Sequence, residues 1–211
     1  METAINIAVI GGTGKAGTIL INRLLEKKYR VKALVRNPEK LKTEDSLLEL
    51  VQGDVRNYES VYELVKDCKV VISTLGQSKG DDPVFCLAAN NIIKAMNELN
   101  IKRYIMLTGL SIDVAGDKKS FRRKTLSKMM KLSFPKVIAD KQKEYEILAQ
   151  SNLDWTVVRI PLLELAESKG QIKASLADCP GGIIFAVDLA DFLINQILDC
   201  QYIRCAPFIA D

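Results

Sequence analysis

Short β-branched runs alternate with stretches of helical period along the first two-thirds of the chain. Ile5 to Ile10 reads as a strand, Ala16, Leu20 and Leu24 then recur every fourth residue, and Val31 to Val35 reads as a strand again. The rhythm continues with a strand at Leu48 to Val51 and a helix carrying Val61, Leu64, Val65 and Cys68. A strand from Lys69 to Thr74 follows, then a helix carrying Ala88, Ile92, Ala95, Met96 and Leu99, and a strand from Arg103 to Leu107. Such alternation predicts a parallel sheet covered by helices on both faces. Asp82-Pro83 reads as a helix start, with a capping carboxylate before a first-turn proline, and Asp188 stands in the same relation to the apolar run Leu189 to Leu198.

After Leu107 the pattern changes. A basic stretch, Lys118 to Lys136, leads into a helix ending near Ser151, and Trp155 to Arg159 reads as a sixth strand before a small irregular C-terminal part. No repeat or flexible linker divides the chain, so residues 1–211 are expected to form one domain. Residues 1–110 would be its core, and residues 111–211 would carry the basic helix, the sixth strand and the C-terminal part.

The loop after the first strand is Gly11-Gly12-Thr13-Gly14-Lys15-Ala16-Gly17. A triphosphate-binding loop would need Ser or Thr after Gly14-Lys15 and a Gly five positions before Gly14, and both are missing. Gly12, Gly14 and Gly17 instead satisfy Gly-x-Gly-x-x-Gly between a strand and a helix. There the first glycine permits the turn, the second lets backbone approach a pyrophosphate, and the third lets helix and strand pack closely. The fold expected is therefore an α/β, Rossmann-type doubly wound parallel sheet. Thr13, Lys15 and Ala16 share the cofactor loop.

An acid at the end of the second strand would take the ribose hydroxyls of NAD. Here that position is Arg36, with Lys40 a helical turn on, and two cations suit a 2′-phosphate, so NADP(H) is expected in preference to NAD(H). Two solvated surface cations are the plainer alternative, and Glu39 would oppose a phosphate if it pointed inward.

Composition narrows the chemistry. The chain has no histidine, which removes Ser-His-Asp hydrolases, Cys-His proteases and His-containing zinc sites. No metal site is expected. The five cysteines, at 68, 86, 179, 200 and 205, form no Cys-x-x-Cys pair and read as buried apolar residues in reducing surroundings. The N-terminus lacks the pattern of a signal peptide and no apolar run approaches a membrane span, so a cytoplasmic protein with no membrane partner is expected. With a net charge of only +4, nucleic acid is not expected as a partner.

The glycine loop, Leu34-Val35-Arg36-Asn37-Pro38-Glu39-Lys40, Gly53-Asp54-Val55, Ser73-Thr74-Leu75-Gly76, Leu107-Thr108-Gly109 and Asp154 to Pro161 occur in an order that resembles the atypical short-chain dehydrogenase/reductases. Within them the chain is most similar to the NAD(P)H-binding branch of NmrA-like proteins and flavin reductases of the biliverdin reductase B kind. The resemblance implies that Asp54 and Val55 border the adenine, and that Thr74, Leu75 and Gly76 run beside ribose and pyrophosphate. It also implies that Thr108 closes the nicotinamide side and that Pro161, Leu162 and Leu163 line the nicotinamide pocket.

Short-chain reductases of the usual kind carry Tyr-x-x-x-Lys on the helix after strand five. Lys141 matches the lysine, and Val137 stands where the tyrosine would be. Tyr145, one turn after Lys141, is the candidate substitute, with packing as its other reading. Tyr62 and Lys66 have the spacing on the wrong helix. Gly109 stands where the flavin reductases have serine, with Ser111 two residues on, and Leu162 stands where they have histidine.

A hydride transfer to a flavin or quinone fits this set, because the acceptor can take its proton from solvent. Lys141, Tyr145, Thr108 and Ser111 are the candidate catalytic residues, orienting cofactor and a small acceptor in a monomer or dimer. A non-catalytic NADP(H) sensor of the NmrA-like kind is the alternative. The basic stretch reads as a lid attracting an anionic acceptor, as a partner or nucleic-acid surface, or as a solvated helix face.

Overall fold

The computed structural model describes residues 5–41, 43–78, 80–166 and 170–211. Ten strands and six α-helices follow in the order β1 (Asn6–Ile10), α1 (Lys15–Glu26), β2 (Arg30–Val35), β3 (Leu48–Gln52), α2 (Tyr58–Val65), β4 (Val70–Ser73), α3 (Phe85–Glu98) and β5 (Arg103–Gly109). Then come α4 (Phe121–Ser133), α5 (Pro135–Gln150), β6 (Asp154–Ile160), β7 (Leu162–Glu164), β8 (Lys173–Ser175), β9 (Ile183–Phe185), α6 (Ala186–Asn195) and β10 (Phe208–Ala210).

The main sheet has the order β3-β2-β1-β4-β5-β6-β10-β8. Every pairing in it is parallel except β10 with β8. This is the doubly wound Rossmann sheet that the alternation predicts. The order reverses between β1 and β4, so the crevice at their carboxyl ends is the topological switch point. Successive residues of β1 feed opposite cores, as strand geometry requires. Ile7 and Val9 pack with Leu20 and Leu24 of α1 and Leu193 of α6. Ala8 and Ile10 pack with Leu64 of α2, Ile92 of α3 and Leu148 of α5.

The C-terminal part is more regular than its sequence suggests. Phe208–Ala210 lies parallel to β6 and antiparallel to β8, while β7 and β9 form a separate two-stranded sheet. Arg159 fastens this extension from inside. Its buried guanidinium donates twice to the Ala206 carbonyl, at 2.9 and 2.7 Å, and once to Asp117 at 2.8 Å, and it lies over the Phe208 ring.

Three other expectations are corrected. Asp82 does not cap α3, which begins only at Phe85. The cap comes from α5, where the Asp140 carboxylate accepts the N–H groups of Phe85 at 2.7 Å and Cys86 at 3.2 Å. Asp188 sits inside the first turn of α6 rather than before it. The cysteines are free, but only Cys68 and Cys179 are buried, and Cys200 is exposed. Among the described residues no helix is long and apolar enough to cross a membrane.

Candidate functional site

A cleft of about 450 Å³ opens at the switch point, at the carboxyl ends of β1 to β4. Its floor is the loop after β1. Gly11 takes the left-handed conformation, with φ of +79°, and its carbonyl accepts the Gly14 N–H at 3.0 Å. A Cβ on Gly11 would stand 2.7 Å from the Thr74 carbonyl carbon. The residue that needs glycine for the turn is therefore Gly11, one position before the expected Gly12. At Gly12 the backbone is ordinary, and an added Cβ would stand 2.6 Å from the Ile21 Cδ1, the far end of a side chain that can shift, so glycine is less strictly demanded there than at Gly11. Gly17 behaves as expected of the third glycine: a Cβ there would collide with the Gly11 carbonyl and the Gly12 Cα.

Thr74, the residue after β4, holds this loop, its hydroxyl donating to the carbonyls of Ile10 at 3.1 Å and Gly11 at 3.3 Å. Helix α1 starts at the loop with Gly14 as N-cap, without a side-chain cap and without an acid in its first turn. Its free N–H groups and positive dipole end face a site fit for an anion. Thr13, Lys15 and Ala16 line the cleft beside it, and Leu75 and Gly76 line it from the end of β4.

The far wall comes from β2 and β3. Arg36 and Lys40 both line the cleft, with Lys40 at the end of a single 3-10 turn, Pro38–Lys40. Glu39 is exposed and is not part of the lining. The Arg36 guanidinium donates to Asp81 at 3.0 Å and to Ser78 at 2.9 Å, and it holds the Asp81 carboxyl below the usual carboxylate range. Asp54 and Val55 follow β3, and Asp54 pairs with Arg56 at 3.0 Å. Arg36, Lys40 and the uncapped start of α1 together place positive charge along the cleft.

Residues 11–199 match the family model described as NAD(P)H-binding. The chain belongs to the NAD(P)H-binding family. It is 38% identical over 109 residues to an isoflavone reductase homologue of Nicotiana tabacum, a match covering 47% of this chain and 33% of that protein. It is 23% identical over 220 residues to the chloroplastic protein TIC 62 of Arabidopsis thaliana, covering 92% of this chain and 33% of that one. These matches thus span about a third of the length of the curated relatives.

Solved structures agree in fold. A short-chain dehydrogenase/reductase from Veillonella parvula in complex with NADP superposes with a TM-score of 0.81 at 17% identity, covering 98% of this chain and 94% of that one. ChuY, described as an anaerobilin reductase of Escherichia coli O157:H7, gives 0.81 at 18% identity, covering 97% of this chain and 96% of that one.

In this family member the remaining candidates lie outside the cleft lining. Thr108 is buried at the end of β5, its hydroxyl without a hydrogen-bond partner among the described residues. Ser111 is buried, and its carbonyl accepts the Ser127 hydroxyl at 3.4 Å. Lys141 is turned toward Phe85, with its Nζ 4.2 Å from the ring centroid, and burial pushes its pKa down. One turn on, Glu144 is only 2% exposed, and burial pushes its pKa up to about 8.

Tyr145 packs edge-on against Trp155, with ring centroids 6.1 Å apart, and burial raises its pKa, which makes the phenol a poorer proton donor. Pro161 is partly buried, and Leu162 is exposed at the start of β7. Arg56, Gln77, Ser78 and Asp81 also line the cleft. The polar run after Gly76 is the signal in the sequence that could have pointed to the last three.

Proposed function

We propose that the chain is an NADPH-dependent reductase, passing hydride to a flavin, quinone or similar small acceptor in the cytoplasm. The observation that carries the reading is Arg36 and Lys40 together on the wall of a cleft floored by the glycine turn. The reductase names of the tobacco and E. coli relatives support the reaction class.

When bound, the reduced nicotinamide supplies the hydride. The chain's own residues bind and orient. Arg36 and Lys40 take the 2′-phosphate, the N–H groups at the start of α1 take the pyrophosphate, and Asp54 and Val55 border the adenine. The unpartnered Thr108 hydroxyl and Lys141 orient the nicotinamide end, with Pro161 and Leu162 as its wall and Ser111 toward the acceptor. With Val137 in place of a tyrosine and no histidine in the chain, the acceptor takes its proton from solvent. The same absence favours a second reading, an NADP(H) sensor that binds without turnover.

Loss of reduced-nicotinamide absorbance, followed against FMN, FAD, riboflavin, quinones and biliverdin with NADPH and NADH in parallel, separates the readings. The expected result is turnover that prefers NADPH. Arg36→Ala should cut that preference by roughly tenfold, the worth of one charge-assisted hydrogen bond. Tight NADPH binding with no turnover on any acceptor would favour the sensor, and equal use of NADH by the unaltered protein would remove Arg36 from the argument.

A further inference from the structure

Helix α4 has its faces reversed. Arg123, Ser127 and Lys131, spaced i, i+4, i+8, turn toward the protein. Arg123 donates to the Gly181 carbonyl, Ser127 to the Ser111 carbonyl, and Lys131 to the Asp113 carboxylate. Phe121, Met129 and Leu132 lie on the opposite side, 84%, 59% and 74% exposed. Leu126 and Phe134 are exposed as well. Leu176 is also exposed, next to Ala177, whose carbonyl accepts the Lys118 N–H just before the helix. A surface helix ordinarily buries its apolar stripe, and a contiguous exposed one marks a contact surface.

Charge selects the occupant. From Lys118 to Lys136 there are eight Lys and Arg residues and no acid, while the whole chain carries only +4, so the rest of the molecule is net acidic. A second copy docked on the same face would set this cationic strip against itself, because a two-fold contact pairs a patch with its own image. By helical spacing the exposed Lys124 and Lys128 stand along one edge of the arc formed by Phe121, Leu132 and Met129, and Arg122 stands along the other. Protein interfaces are depleted of lysine. Helices lying in the plane of a bilayer combine Lys and Arg with Phe and Leu, the long lysine stems reaching up to the headgroups.

We propose that α4 seats this protein on an anionic lipid surface, with Phe121, Met129 and Leu132 entering the acyl boundary and Arg122, Lys124 and Lys128 meeting the headgroups. The contact lies in the interface plane and needs no spanning helix. It revises the expectation that no membrane is a partner, which rests on the lack of a spanning segment.

The test is sedimentation of the full chain with vesicles of phosphatidylcholine alone and with about one-third phosphatidylglycerol. Binding is expected to the mixed vesicles only, weakening as salt rises. The double variant Phe121→Ser, Leu132→Ser alters two exposed side chains, so its unfolding midpoint should stay unchanged while its partition falls at least about tenfold. Lys124→Glu with Lys128→Glu should lose binding to a similar degree. No partition to anionic vesicles at low salt would overturn the proposal, as would equal partition of the serine variant. A soluble polyanion such as RNA bound as tightly as vesicles would assign the strip to nucleic acid instead. A wild-type dimer that the serine variant dissociates would assign the face to a second copy, and either result ends the lipid reading.

Discussion

Gly17 and Gly76 both belong to the predicted cofactor loops, yet only one of them is needed for the fold. A methyl group on Gly17 would run into the Gly11 carbonyl and the Gly12 Cα, both backbone atoms that cannot swing away. Gly17→Ala should therefore cost about 1–3 kcal/mol in urea unfolding, and it should weaken NADPH binding by displacing the loop. A Cβ on Gly76 meets nothing within 4 Å, so Gly76→Ala should leave the unfolding midpoint unchanged. Because Gly76 lines the cleft, any loss it shows should appear in NADPH affinity alone. Asp81 is a residue of the opposite kind, holding Arg36 by an ion pair that a 2′-phosphate would have to share. Asp81→Asn removes a negative charge from that place, and NADPH titrated into the variant should bind roughly threefold to fivefold more tightly, with NADH unaffected.

At the scale of elements, the start of α3 shows how far local sequence reaches. Asp82-Pro83 has the form of a helix start, but the chain enters the helix two residues after the proline, and the N–H groups of Phe85 and Cys86 find their acceptor on α5. Asp140→Ala should destabilise the protein by roughly 1 kcal/mol in urea unfolding, with Asp140→Asn retaining most of the stability, whereas Asp82→Ala should do little. Strands β1, β2, β4 and β6 were legible because each carries β-branched residues in a short run, and β3 and β5 because a short apolar stretch precedes or follows a helical pattern. Helices α1, α2, α3 and α6 were legible because their apolar residues keep helical spacing. Strand β10 was not, since three residues carry no periodicity and its place beside β6 depends on Arg159, 47 residues from the Ala206 carbonyl it grips. The cleft followed the same division. Its glycine floor and Arg36 wall are local motifs and could be read, whereas Asp81 reaches the site by an ion pair spanning 45 residues. The orientation of α4 was not legible for a related reason: its apolar face would ordinarily be the buried one, and only long-range contacts such as Arg123 with the Gly181 carbonyl show that the polar side faces in.

For the molecule as a whole, the packing of α5 onto α3 and the sheet sets how stability responds to pH. Glu144 is buried there, near Lys141 and Asp140, and burial raises its pKa to about 8, while an unfolded glutamate titrates near about 4.3. Below about 4.3 both states hold the proton. Between that value and about 8 the folded state keeps a proton that the unfolded chain has lost, so rising pH favours unfolding across this window. Lys141 is pushed down by the same burial, so its own contribution has the opposite sign and lies below the usual lysine range, where the unfolded chain binds a proton the folded state lacks. Glu144→Gln keeps a neutral side chain of similar shape at every pH and removes only the first effect. Urea unfolding should therefore give similar stabilities for the two proteins near pH 5 and a variant more stable by on the order of a few kcal/mol near pH 8. Parallel pH profiles would mean that Glu144 is already ionised beside a charged Lys141, and that the two form an ion pair bridging successive turns of α5.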